Sequence, residues 1–268
     1  MSTVSTVLGP IHVDDQGSAC GEPVALLWPS LFTDHQMWGH QVAALRTAGW
    51  RTLAVDPPGH GLSPGPGRTF TMDECAEAVV QVLDAMGVFT PVVLFGASWG
   101  GIVAPRAALR IPDRVKGLVL FNTTAERPTW FSRANCTLLT LLLALPILDR
   151  MVDHMIMSRN LAPATRVHQP QLGANLASRF RSWDRNAVIN TVRSVLVDRD
   201  GALDRLSSLK VPVLIVSGEQ DTVLPSIFSR RIAQTIPNAR HVEVSGAAHL
   251  VALEQPLVAN TLILDFKG

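Results

Sequence analysis

Three residues of this chain have the types and the order needed to make and break an acyl bond: a serine between glycines, then an aspartate, then a histidine. The serine is Ser98, in the stretch Val92-Val93-Leu94-Phe95-Gly96-Ala97-Ser98-Trp99-Gly100-Gly101. Its Gly-x-Ser-x-Gly spacing follows a short apolar run that reads as a buried strand. Residues 102–110, rich in Ala and Val, read as the helix that follows. Strand, sharp turn and helix form the setting in which such a serine is pushed out of the sheet edge as a nucleophile. Glycines at 96 and 100 leave room where side chains would collide with the neighbouring strand or helix.

The motif alone also fits a Gly-rich turn with an incidental serine, so the partners carry the argument. A serine hydroxyl needs a base to take its proton and an acid to hold that base in the right tautomer. Asp221 closes the run 213–221, and His249 follows the run 242–248. Each lies just past the carboxyl end of a predicted strand, and such loops converge on one rim of a parallel sheet. Asp221 also reads as a helix N-cap ahead of Leu224-Pro225, and His249 as an exposed loop histidine. Glu219 and Glu243 are rival acids, ranked lower because Glu243 sits mid-strand and Glu219 falls two residues short.

These groups need a scaffold, and the chain supplies alternating signals for one. Residues 4–14 read as an opening hairpin, 24–28 as a buried strand, 36–48 as a helix ended by Gly49, and 51–56 as the next strand. Thr71-Met72-Asp73-Glu74 is a capping box ahead of a helix with apolar residues at helical spacing up to Met86. Residues 115–121 form another strand. From 124 to 209 only helix-like pieces occur, separated by Pro128, Pro146, Pro163 and Pro170. Strand 211–217, helix 226–236, strand 239–245 and a closing helix from Pro256 restore the alternation. The expected fold class is therefore α/β: a mostly parallel sheet with helices on both faces. The expected organisation is a core of residues 1–123 and 210–268, interrupted by a helical cap, or lid, at 124–209.

Composition removes several functions. With 268 residues, 17% charged and a net charge of +1, there is no clustered basic footprint for nucleic acid. The cysteines, at 20, 75 and 136, are scattered and odd in number, which argues against a disulfide framework and for a reducing, cytoplasmic setting. Residues 1–6 lack the basic start and apolar core of a signal peptide. The most apolar run, 138–148, is too short to span a bilayer and contains Pro146, so it is read as buried helix, with no membrane partner. His60 reads as a turn residue at the crevice edge. His12, His35, His40, His154, His168 and His241 show no metal-ligand spacing, and no phosphate-binding glycine loop occurs. No cofactor and no metal are expected; the expected partner is a small-molecule substrate. The oligomeric state is not legible.

The chain resembles the α/β-hydrolase superfamily over nearly its full length. The residues carrying the resemblance are Asp56-Pro57-Pro58-Gly59-His60-Gly61-Leu62-Ser63, the stretch 96–101, Gly218-Glu219-Gln220-Asp221 and Gly246-Ala247-Ala248-His249. Thr33-Asp34-His35-Gln36-Met37-Trp38 and Leu253-Glu254-Gln255-Pro256 look most like the 3-oxoadipate enol-lactonase type and related esterases. The resemblance implies that Ser98 attacks, that His249 serves as base and then acid, and that Asp221 orients it. It also implies an oxyanion hole from two backbone N–H groups, that of Trp99 and one in the loop after residues 24–28. Pro29 has no N–H; by register with the lactonase-like members, the resemblance implies Leu31 as the second donor and Phe32 as the next. The expected substrate contacts are Phe32, Trp130, Phe131, Met155, Trp183 and Leu250, with Arg127, Arg133 and Arg159 available to a substrate carboxylate. Ser at 98 and the absence of tyrosine argue against the dehalogenase and epoxide-hydrolase chemistries of this superfamily. The expected reaction is hydrolysis of a small, largely apolar carboxylic ester or lactone. A C–C hydrolase with the same three residues is the enzymatic alternative, and a non-catalytic binding protein the other.

Overall fold

A computed structural model describes residues 2–17 and 21–266; Cys20 lies outside the described residues. The strands are β1 (Ser2–Thr6), β2 (Gly9–Gln16), β3 (Val24–Trp28), β4 (Arg51–Val55), β5 (Val92–Ala97), β6 (Val115–Phe121), β7 (Val213–Gly218) and β8 (Ala239–Val244). They form one eight-stranded sheet in the order β1-β2-β4-β3-β5-β6-β7-β8. β2 runs antiparallel to β1 and β4, and every other pairing is parallel. β3, β4, β5 and β7 are buried at every residue. That is why β3 and β5 read as unbroken apolar runs: helices cover both faces.

The helices are α1 (Gly39–Thr47), α2 (Met72–Ala85), α3 (Trp99–Arg110), α4 (Trp130–Leu143), α5 (Asp149–Asn160), α6 (Pro163–His168), α7 (Pro170–Arg181), α8 (Arg185–Val192), α9 (Ser226–Thr235), α10 (Val251–Glu254) and α11 (Pro256–Leu264). Alternate strand residues go to opposite faces. Leu26, Leu53, Leu94, Leu118 and Ile215 join Val79 and Val82 of α2 and Val103 of α3. Leu27, Ala54, Phe95, Val119 and Val216 join Leu45 of α1 and Ile263 of α11 on the other side.

Local chemistry sets several boundaries. Thr71 caps α2: its side chain accepts from Glu74 N–H, and Glu74 returns the bond to the Thr71 N–H. The predicted helix 36–48 begins instead with a tight turn over His35–Trp38, capped by the Asp34 side chain, before α1. Pro163 and Pro170 occupy the first positions of α6 and α7, where a missing N–H costs nothing. Between β6 and β7 the described residues hold α4 to α8 and no strand. Leu143, Ile156 and Val188 from this stretch pack into the same buried cluster as α2 and α3.

One expectation fails here. The run 138–148 is not a wholly buried helix: Leu143 is buried, but Leu138, Leu141, Leu145 and Ile147 are exposed. The run is apolar on both sides of its helix, and only one side finds core.

Candidate active site

Ser98 occupies a tight turn between strand and helix. β5 ends at Ala97, α3 begins at Trp99, and Ser98 between them is held at φ 49° and ψ −104°. A positive φ is costly for any residue with a Cβ. Its N–H donates to Phe121 C=O at 2.8 Å, and its C=O accepts from Thr123 Oγ1 at 2.8 Å, so β6 clamps the turn. A Cβ at Gly96 would lie 2.2 Å from Gly100 O, and one at Gly100 would lie 2.0 Å from Trp28 O. Both glycines are therefore required by contact distance.

Asp221 and His249 are brought together. The Asp221 Oδ2 to His249 Nδ1 distance is 2.7 Å, and both side chains are buried. Asp221 accepts four hydrogen bonds: Oδ2 also takes Asn122 Nδ2 at 2.9 Å, and Oδ1 takes the N–H groups of Val223 and Leu224 at 2.8 and 2.9 Å. Burial alone would raise the Asp221 carboxyl. The charge and hydrogen bond of His249, the Leu224 N–H and the Asn122 amide outweigh it and hold the group below the usual carboxylate range. The rival acids lie elsewhere. Glu219 accepts from Ser245 and Gly246 at the surface, and Glu243 pairs with Arg230 at 2.7 Å.

Asn122 follows β6 directly, with φ 46°. Its N–H donates to Val216 C=O, and its amide reaches both Asp221 and Ala248 C=O at 3.0 Å. It thus joins the loops of Asp221 and His249 to the strand that clamps Ser98. Glu254 of α10 does similar work from below. It accepts from Ala248 N–H at 2.8 Å, Ala162 N–H at 2.6 Å and Thr165 Oγ1 at 2.7 Å. The His249 N–H donates to Asn160 C=O at 3.1 Å. The junction of α5 and α6 is therefore fastened to the histidine loop.

The loop after β3 holds the other expected donors. Among the described residues, neither the Leu31 nor the Trp99 N–H donates to a protein acceptor. Gly100 N–H donates to Pro29 C=O at 3.3 Å, fixing this loop to the start of α3. Phe32 sits at φ 64°, and its N–H is taken, donating to His60 Nε2 at 3.2 Å. His60 is more than the turn residue its sequence context suggested. It is fully buried, with ring contacts of 5.5 Å to Trp99 and 4.7 Å to Trp183. Burial pushes its pKa down to about 4, so it stays neutral and can accept from Phe32.

That shift has a sign. Unfolded, His60 takes a proton near pH 6.5; folded, it resists until about 4. Its contribution to stability is complete above pH 6.5 and is lost as pH falls towards 4. In His60→Gln, which keeps an acceptor for Phe32, the drop in Tm between pH 7 and pH 5 is expected to be smaller than in the parent. Identical drops in a thermal melt would refute this.

Asp56 organises the same loop from its far end. Oδ1 accepts from both the N–H and the Nδ1 of His35, at 2.8 and 2.7 Å, and Oδ2 from Leu62 N–H. Asp34 caps the turn at Gln36 and is ion-paired with Arg179 of α7. His12, His35 and Asp56 are the described residues close enough to share a metal ion, with candidate ligand atoms within 4.8 Å of one another. Three N–H donors already fill the Asp56 carboxylate, so the set reads as a loop anchor.

The expected substrate contacts divide. Phe32 and Trp183 come together around Phe180, with ring centroids at 5.2 and 6.3 Å, and close over His60. Leu250 is buried beside His249, and Met155 is half-buried on α5. Trp130 and Phe131 do not join them: both are exposed, stacked edge to face at 6.1 Å on the outside of α4. Their positions face away from the side of α4 that packs inward, which periodicity could not reveal. Arg127 and Arg133 line an outer cavity with Trp130. Arg159 and Arg166 line a cavity of about 320 Å³ that reaches Asp221 and Ala248.

Comparison with known proteins matches this geometry to one family. A profile described as the alpha/beta hydrolase fold matches residues 23–256. RutD of Variovorax paradoxus, provisionally named a carbamate hydrolase, is 29% identical over 265 residues, covering 96% of each chain. A hydrolase from Pseudomonas aeruginosa superposes with a TM-score of 0.88 at 28% identity, covering 98% of this chain and 96% of that one. The enol-lactonase of Burkholderia xenovorans superposes with a TM-score of 0.89 at 24% identity, covering 98% of both, and shows a shared fold.

Proposed function

The chain belongs to the α/β-hydrolase family, and on that premise we propose that it is a serine hydrolase that cleaves a small, largely apolar carboxylic ester or lactone. The observation that carries this reading is the buried Asp221–His249 hydrogen bond, tied through Asn122 to the strand whose last carbonyl, Phe121, holds a serine at positive φ. In the proposed cycle the Ser98 hydroxyl attacks the substrate carbonyl as His249 Nε2 takes its proton. Asp221 holds the Nδ1–H and stabilises the imidazolium. The carbonyl oxygen becomes an oxyanion that accepts hydrogen bonds from the Leu31 and Trp99 N–H groups, the second at the start of α3, where the helix dipole adds positive potential. His249 then gives its proton to the departing alcohol oxygen, leaving an acyl-Ser98 ester. Water, deprotonated by His249, attacks that ester, and Ser98 recovers its proton.

Aromatic packing around His60 supports the substrate class. Residues 124–209 serve in this reading as the cap, bringing Phe180 and Trp183 over Phe32. Aromatic rings such as these suit an apolar acyl or alcohol group better than a phosphate or sugar. For a lactone the alcohol stays tethered, so water must reach the acyl-enzyme before the ring recloses.

The test is a panel of p-nitrophenyl esters and lactones, run beside a fluorophosphonate probe and a meta-cleavage dienoate. We expect stoichiometric labelling of Ser98 and turnover of at least one short or medium acyl ester or lactone. Labelling together with turnover of the dienoate alone would replace the reading with C–C hydrolysis. Failure to label would remove serine catalysis altogether.

A further inference from the structure

The outer face of α4 is apolar and uncovered. Trp130 is 80% exposed, Phe131 63%, Leu138 54% and Leu141 60%. At helical spacing these residues, with exposed Ala134, share one stripe roughly 100° wide. Thr140 and Leu143, the buried residues of the helix, lie on the opposite side. Past the helix end, where the next helical segment turns by 104°, Leu145, Ile147 (91% exposed) and Met151 are exposed as well. A soluble protein rarely leaves so contiguous an apolar surface without a partner.

The surrounding charge indicates what the partner is. Residues 124–209 contain 11 Arg and no Lys against 7 Asp and Glu, while the whole chain carries only +1. Arg127, Arg133 and Arg150 flank the stripe and make no ion pair with a described residue. Beside Trp130 a cavity of about 1300 Å³ is lined by Arg127, Arg133 and Arg199. The Arg199 guanidinium donates to two backbone carbonyls, those of Glu126 and Val195. Of the acids in that cavity, Glu126 is paired with Arg231 and Asp200 with Arg106, which leaves Asp204. A second copy placed symmetrically on this face would bring like charges together. An anionic lipid surface would accept the aromatic and aliphatic side chains among its acyl chains and the arginines at its headgroups.

We propose that α4 and the turn after it dock this protein onto membranes rich in anionic phospholipid. The sequence reading of no membrane partner rested on 138–148 being too short to span a bilayer and on Pro146; docking along a surface needs no span. The docking is independent of the hydrolase reading, because it uses no residue of the site. No single described helix is long and apolar enough to cross a membrane; the stripe lies along the surface.

The experiment is co-flotation of the full chain with vesicles of phosphatidylcholine alone or mixed equally with phosphatidylglycerol. Binding is expected to the mixed vesicles and to fall with added salt. Each of Arg127→Gln and Arg133→Gln is expected to weaken it roughly fivefold, the equivalent of one surface charge. Leu138→Asp with Leu141→Asp is expected to weaken it at least about tenfold, with an unchanged Tm because both positions are exposed. Trp130 is the most exposed tryptophan, so brominated lipid should quench parent fluorescence more than that of Trp130→Phe. Vesicle binding that is absent, or unaffected by these substitutions, would overturn the proposal. Dimerisation in light scattering that the double variant abolishes, without vesicle binding, would assign the face to a second copy instead.

Discussion

Ser98→Ala is expected to lower kcat about 10⁶-fold on any substrate the parent turns over, while Tm and the far-ultraviolet spectrum stay close to the parent's. Loss of the hydroxyl removes the covalent route. The two N–H groups of Leu31 and Trp99 would remain, and with them a small residual rate from binding and oxyanion stabilisation. The fold should tolerate the change because the bonds that clamp residue 98, its N–H to Phe121 C=O and Thr123 Oγ1 to its C=O, use its backbone. Alanine pays about the same penalty at φ 49° as serine. Retention of more than roughly a tenth of the parent rate would assign the nucleophile elsewhere.

Asp221→Asn is expected to cost about 10⁴ in kcat. The environment makes the argument specific. Four donors converge on this carboxylate: His249 Nδ1 and Asn122 Nδ2 on one oxygen, the Val223 and Leu224 N–H groups on the other. An asparagine must turn its NH₂ towards one of these pairs. Facing Val223 and Leu224, it would oppose two N–H groups. Facing Asn122 and His249, it makes Nδ1 the acceptor and moves the imidazole proton to Nε2, where it can no longer take a proton from Ser98. Either choice also leaves the imidazolium without its counter-charge. In the parent, the depressed Asp221 pKa stabilises the fold above about pH 4, and that stabilisation is lost as pH falls through the folded value. The variant should show less of this acid dependence. Normal activity in Asp221→Asn, with loss in Glu219→Gln or Glu243→Gln, would transfer the role.

Much of this architecture was written locally. Strand runs buried on both faces, such as 92–97, are apolar throughout because helices cover the sheet twice. The capping box at Thr71–Glu74 spans four neighbouring residues, and the glycines at 96 and 100 answer contacts within one turn and the adjacent strand. The order Ser98, Asp221, His249 at successive strand ends was readable because each residue closes a recognisable strand. The residues whose contacts the sequence reading did not assign act across distance. His60 meets Phe32 28 positions away, Asn122 meets Asp221 99 away, and Glu254 meets Ala162 92 away. Each is a lone polar residue, and nothing nearby in the chain indicates its partner. Only the tertiary structure decided which side of α4 is covered. Apolar residues lie on both sides of this helix, so apolar character alone assigned Trp130 and Phe131 inward. The packing of α4 buries Leu143 instead and leaves those two rings facing out. A side chain's direction in such a helix depends on what the neighbouring elements present to it.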